Sequence, residues 1–223
     1  MESDVNKTLL AVAAAFSLLA PVVHAQSAKP QAAKAPAAAP KAAESSADMK
    51  RAQDIVTGRC SLCHGAEGES ASPIFPRLAG QHPEYIAKQL ADFKAGRRKG
   101  TMNDQAVELT DEEMKALGVL FAQKKPKAYT VADQDIAAVG RYIYHKGNSY
   151  SGVASCASCH GQTGDGTAQL PRIAGQHASY TEAQLKEFNK RERTNDNAIM
   201  HAIASKLTEL EMRAVAVYLS GKL

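Results

Sequence analysis

From about residue 49 onward, apolar side chains recur at helical spacing. Ile86, Leu90 and Phe93 fall on one face after Pro83, a residue suited to a first helical turn, and Gly96 follows as a stop. Met114, Leu117 and Phe121 line one face of a later segment, and Met212, Val215 and Leu219 line its counterpart near the C-terminus. Both of these segments open with Thr-x-x-Glu, Thr110 to Glu113 and Thr208 to Glu211, a spacing in which the two side chains satisfy each other's free backbone donors. Further helices are expected around residues 49–57 and 134–144. No run alternates apolar and polar residues over the length of a strand, so the fold class is read as all-α.

The pattern occurs twice. PRLAGQHPEYIAKQLADF, from Pro76, matches PRIAGQHASYTEAQLKEF, from Pro171, and MNDQAVELTDEEMKAL, from Met102, matches MHAIASKLTELEMRAV, from Met200. This order predicts two copies of one small fold, at 47–123 and 134–223. The segment 124–133, with Pro126 among three lysines, reads as a linker, its composition arguing against a packed element. Copies this small have marginal cores unless something apolar is added to them.

Ahead of the repeats the composition changes. Residues 1–25 read as an export signal: Lys7, an apolar run from Leu9 to Val23, then Val23-His24-Ala25 as a small-residue cleavage site, with Glu2 and Asp4 as unusual acids at its start. The run contains Pro21 and is shorter than the ~20 residues that span a bilayer. Residues 26–46, built from Ala, Pro, Lys and Ser, read as a flexible leader with nothing large to bury. The formal charge is +4, which becomes +5 when the signal is removed. That balance suits modest steering toward acidic partners. With 5% aromatic residues and no basic cluster carrying interleaved aromatics, nucleic acid is not an expected partner.

All four cysteines lie in two motifs, Cys60-Ser61-Leu62-Cys63-His64 and Cys156-Ala157-Ser158-Cys159-His160. In Cys-x-x-Cys-His the thiols can each form a thioether to a haem vinyl group while the adjoining imidazole reaches the iron from the same side. Two covalently bound haem c groups follow, with His64 and His160 as proximal ligands. A four-thiolate zinc site would give no reason for a histidine after each pair, and a thioredoxin-type dithiol would need a βαβ context. Met102 lies 38 residues after His64, and Met200 lies 40 after His160, each in a polar stretch before a capped helix. A loop methionine there can place its thioether on iron, favouring the ferrous state, so Met102 and Met200 are the expected second ligands. Met114 and Met212, on apolar faces, read as core filler. His82 and His177 read as polar residues closing a turn, and Pro76 and Pro171 as fixing a loop whose carbonyl holds the imidazole Nδ1–H. Arg77 and Arg172, also duplicated, are either propionate partners or solvated surface.

These motifs, together with Pro-Arg-(Leu/Ile)-Ala-Gly-Gln in both halves and Ile143-Tyr144-His145-Lys146-Gly147-Asn148 at the second domain, resemble the cytochrome c4 family over residues 49–223. The resemblance implies two tandem class I cytochrome c domains related by a pseudo-two-fold axis, with haem propionate edges facing each other. It implies ligation by His64 with Met102 and by His160 with Met200. It also implies a periplasmic electron carrier running from a quinol-oxidising bc-type complex, directly or through small cytochromes, to a terminal oxidase, with peripheral association at the membrane. The alternative is a di-haem peroxidase or a sulfur-compound dehydrogenase component, which needs an open ligand position.

Overall fold

The computed structural model describes residues 45–131 and 133–221. The expected signal and all of the leader up to residue 44 lie outside the described residues. Ser46, read with the leader in the sequence, opens α1 (Ser46–Ile55), and Ser45 caps it in a reciprocal box with Asp48. A π-helical turn, Val56–Cys60, then carries the chain without a break into α2 (Ser61–His64). The first half is completed by α3 (Pro83–Lys94), α4 (Met102–Ala106) and α5 (Asp111–Ala122).

The second half follows the same order with α6 (Gln134–Lys146), α7 (Ala157–His160), α8 (Ala178–Asn189), α9 (Ile199–Ala204) and α10 (Glu209–Ser220). Here the first helix stops at Gly147, and an isolated antiparallel bridge between Asn148 and Val153 precedes α7. Gly147 has φ 72°, and a side chain on it would run into the Val153 carbonyl, so only glycine makes this turn. Among the described residues there is no strand, in agreement with the all-α reading.

Each half has its own apolar core. In the first, α5 packs on α1 and α3 and buries Ile55, Ile86, Phe93, Met114, Leu117 and Phe121. In the second, α10 packs on α6 and α8 and buries Ile143, Tyr144, Phe188, Met212, Val215 and Leu219. Side chains of this size contribute about 1.5–3 kcal/mol each when removed from water. Both Thr-x-x-Glu boxes form as expected, and each glutamate has a further partner. Glu113 Oε1 accepts from Arg51 Nε at 2.8 Å, tying α5 to α1, and Glu211 Oε1 accepts from Asn148 Nδ2 at 2.7 Å, tying α10 to the bridge.

The two halves meet through buried polar side chains at repeat-equivalent positions. Arg98 donates to Gln89 at 2.8 Å within its own half and crosses to Tyr180 and Gln184 at 2.8 Å each. Arg193 donates to Gln184 at 2.7 Å and crosses to Tyr85 at 2.9 Å. Each guanidinium also lies over the phenylalanine of its own half, Arg98 4.6 Å from the Phe93 ring centroid and Arg193 4.5 Å from Phe188.

The segment expected to be an unpacked linker has no helix, yet it is held down. Glu69 accepts from the Lys127 backbone N–H at 2.9 Å and from the Tyr129 hydroxyl at 2.5 Å, and the Arg77 guanidinium stacks 3.4 Å from the Tyr129 ring centroid. Burial and the Glu69 bond push the Tyr129 phenol up to about 12. Composition pointed to the lysines, of which Lys125 and Lys127 are exposed; the single tyrosine among them does the packing.

Candidate functional site

The two Cys-x-x-Cys-His motifs occupy the same place in each half, on short helices beside the core. In the first, α1 and the π-turn deliver Cys60 directly to α2, which carries Cys63 and His64. π-turns inside helices are a frequent mark of functional positions, because the wider turn re-aims the residues after it. In the second, Cys156 caps α7, which carries Cys159 and His160. All four thiols are unpaired; Cys63 and Cys159 are exposed, Cys60 and Cys156 partly buried. Burial pushes the Cys60 thiol up and Cys156 up to about 11, so neither thiol is set up as a free thiolate.

Both histidines are buried. His64 Nδ1 donates to the Pro76 carbonyl at 2.8 Å, and His160 Nδ1 to the Pro171 carbonyl at 3.2 Å. A carbonyl can only accept, so each ring carries its proton on Nδ1 and presents the Nε2 lone pair. Burial lowers both pKa values below the usual histidine range, and the carbonyl bonds act in the opposite sense. Each imidazole is therefore neutral, fixed in tautomer and ready to ligate a metal through Nε2.

Met102 and Met200 pack against the first and second cores respectively. Neither sits in a loop: Met102 is the first residue of α4, and Met200 the second of α9. Segments of five and six residues are too short to carry a periodicity that reads as a helix. The approach to Met200 is strained. Arg191, Asn197 and Ala198 have φ of 59°, 60° and 65°, and the Met200 N–H is held by Asp196 at 2.5 Å. The first half reaches Met102 through Gly96 and Gly100 instead.

The Gly-Gln-His stretches, read as turns, form a second contact between the halves. Gln81 Nε2 donates to the Arg172 carbonyl at 2.8 Å while Gln81 Oε1 accepts from Arg172 N–H at 2.8 Å; Gln176 does the same to Arg77, at 3.0 and 2.9 Å. The ring of His82 reaches the Asp165 carbonyl at 2.7 Å, and that of His177 the Ser70 carbonyl at 2.9 Å. Of the arginine side chains, that of Arg77 shares in it by donating to the Gly175 carbonyl, although its Nε, 3.9 Å from Glu69, has no hydrogen-bond partner; that of Arg172 pairs with Asp165 of its own half. Exact duplication of the glutamines and histidines was the available signal, since their contacts cross once in each direction.

The two motifs do not converge: among the described residues no group of three or more His, Cys, Asp and Glu side chains could hold an ion, so a shared thiolate cluster has no site. What each motif offers is two adjacent thiols, a neutral imidazole with free Nε2, and a thioether seated on the same core. That donor set fits one covalently held haem per half. The family model described as cytochrome c matches residues 49–147 and again 144–221. Cytochrome c4 of Thiocapsa roseopersicina is 42% identical over 189 residues, covering 83% of this chain and 96% of that protein.

The chain belongs to the cytochrome c family, and within it to cytochrome c4.

The crystal structure of reduced recombinant cytochrome c4 from Pseudomonas stutzeri superimposes with a TM-score of 0.74 at 34% identity, covering 78% of this chain and 98% of that one. A thiosulfate dehydrogenase electron acceptor of Stutzerimonas stutzeri (strain A1501) is 38% identical over 168 residues, covering 73% of this chain and 78% of that protein. As a cytochrome c4 family member the chain has two cytochrome c domains and two covalently bound haem c groups, and it is an electron carrier, not an enzyme. Among the described residues no helix is long and apolar enough to cross a membrane.

Proposed function

We propose that the protein relays electrons in the periplasm from a quinol-oxidising bc-type complex toward a terminal oxidase, directly or through small cytochromes, in peripheral association with the membrane. The irons are ligated by His64 with Met102 and by His160 with Met200, in domains spanning about 47–123 and 134–223. Haem supplies a one-electron couple that needs no substrate chemistry. The protein's part is to keep both coordination spheres closed and rigid, so that little rearranges when charge moves. The observation that carries this reading is the matched pair of histidine-to-proline carbonyl bonds, with a methionine in the first turn of the equivalent helix of each repeat. Closed coordination disfavours the peroxidase alternative, which needs an open iron.

Spectroelectrochemical titration with Met102 and Met200 replaced one at a time by alanine tests the ligands. Each replacement should abolish the weak far-red methionine-to-iron band of its own haem and lower that haem's potential. Unchanged spectra in both variants would refute the assignment.

A second donor is favoured by one finding, the relative named as a thiosulfate dehydrogenase electron acceptor. Stopped-flow reduction of the oxidised protein by a bc-type complex and, separately, by a thiosulfate dehydrogenase distinguishes the two. Faster reduction by the bc-type complex supports the leading reading.

A further inference from the structure

The peptide unit joining Pro76 to Arg77 is engaged at both ends. Its carbonyl accepts from His64 Nδ1 at 2.8 Å, and its N–H, that of Arg77, donates to Gln176 Oε1 of the other domain at 2.9 Å. The unit joining Pro171 to Arg172 is engaged in the same way, by His160 Nδ1 at 3.2 Å and by Gln81 Oε1 at 2.8 Å. A hydrogen bond accepted from an amide N–H moves electron density onto that amide's carbonyl oxygen, so bonds in such a chain strengthen one another. A stronger acceptor on Nδ1–H in turn makes the imidazole a more basic metal ligand, which favours the oxidised iron.

The glutamine at the far end is fixed in place. Gln176 Oε1 also accepts from His177 N–H at 3.0 Å, and its Nε2 donates to the Arg77 carbonyl at 3.0 Å. Gln81 repeats both contacts, with His82 N–H at 3.1 Å and the Arg172 carbonyl at 2.8 Å. Neither amide can rotate away without losing bonds in a largely buried interface.

We propose that each domain tunes the iron held by the other: Gln176 sets the basicity of His64 through the Pro76–Arg77 peptide, and Gln81 sets that of His160 through the Pro171–Arg172 peptide. Both glutamines are positioning residues, acting through a peptide and a histidine. This rests on the reading of His64 and His160 as axial ligands. Its functional consequence is that closure of the domain interface and the redox equilibria of both haems are linked, and linkage is reciprocal: what tightens the interface favours the oxidised irons, and oxidation tightens the interface. If the glutamines only glue the domains together, their loss would shift both haems alike or neither.

The test is redox titration of the holoprotein bearing Gln176→Leu, Gln176→Glu and the same two changes at Gln81, with each haem identified through the Met102 and Met200 replacements. Gln176→Leu should raise the potential of the haem on Cys60 and Cys63 alone, moving its reduced-to-oxidised ratio at fixed potential by roughly two- to tenfold. Gln176→Glu keeps an acceptor for Arg77 N–H and adds negative charge, so it should move the same haem the opposite way. The Gln81 pair should act on the haem at Cys156 and Cys159. Should Gln176→Leu not accumulate as folded holoprotein, Gln176→Asn, one methylene too short to keep the bond, takes its place with the same expected sign. Equal shifts at both haems, no shift, or shifts of one sign for Leu and Glu would overturn the proposal. Hyperfine-shifted ring protons of an iron-bound histidine are recorded in the same oxidised samples. Present without a crossed shift, they sink the cross-domain tuning alone; absent, they sink the axial-ligand reading beneath it.

Discussion

Arg98, in the loop after α3, donates through Nη2 to the hydroxyl of Tyr180 in the opposite domain at 2.8 Å, and both it and its counterpart Arg193 are buried. A guanidinium removed from water is tolerated only where its donors find acceptors, and here the acceptors are uncharged phenol and amide oxygens. Replacing Arg98 with methionine keeps the apolar stem and strands the Tyr180 hydroxyl without its donor, while Gln184 keeps only the bond from Arg193. We expect a loss of about 1.5–3 kcal/mol, the range for hydrogen bonds to a charged group. Urea unfolding of the holoprotein should show it, the single transition separating toward two as the domains uncouple.

The crossing of α6 and α10 depends on Gly140. A methyl group there would stand 1.9 Å from the Ala214 carbonyl oxygen, a clash with backbone that no rotamer change relieves. Gly140→Ala should cost about 2 kcal/mol or more despite alanine's better helix propensity. Gly58, in the π-turn, has nothing within 4 Å of the equivalent point, so Gly58→Ala should be neutral or stabilise by up to about 1 kcal/mol. Thermal unfolding of the two variants side by side checks the contrast.

Acid should weaken the capped helices. The bond from the Thr110 backbone, then that from Arg51, holds Glu113 below the usual carboxylate range. Burial alone would raise Glu211, but its bonds from Thr208 and Asn148 bring it down as well. A carboxylate with a lowered folded-state pKa contributes stability that is complete above its unfolded value, about 4.5, and is lost as pH falls through the folded value. Glu113→Gln should therefore be less stable than the parent by roughly 1 kcal/mol at pH 6, with the gap narrowing below pH ~4.5. Urea midpoints at pH 6 and pH 3 measure it; a gap that stays constant would contradict the linkage.

Arg191 follows α8 with φ 59°, at the position where the first domain has Gly96 with φ 69°. Both close the helix through the same bond, to the phenylalanine carbonyl three residues earlier, at 3.2 and 3.1 Å. A left-handed conformation costs a residue with a Cβ about 1 kcal/mol. Arg191→Gly should recover about 0.5 kcal/mol or more after the extra entropy of glycine in the unfolded chain is counted, raising the thermal midpoint without altering either haem spectrum.

The sequence was most legible where one chain property answers to one physical cause. Helical spacing located α3, α5 and α10, Thr-x-x-Glu located two caps, and the cysteine–histidine spacing located both haem attachments. It was least legible where a residue answers to something distant in the chain. Gln81 and His82 look like turn residues because the turn is local, whereas their partners, Arg172 and Asp165, lie 91 and 83 residues away. The π-turn before Cys60 was hidden for another reason: a helix widened by one residue keeps the composition of a helix. Duplication showed which residues matter to a domain, but not whether they serve its own core or its contact with the twin.

The glutamine contact between the halves is self-complementary. Gln81 with Arg172 and Gln176 with Arg77 is a patch that recognises its own copy, the arrangement found across the axis of a symmetric homodimer. Each half carries both sides of this glutamine contact. Because the segment pinned by Glu69 joins the halves in one chain, their association is intramolecular, and the paired state persists however dilute the carrier becomes. Within one chain the halves need not be identical, and Gly96 and Arg191 are one place where they differ.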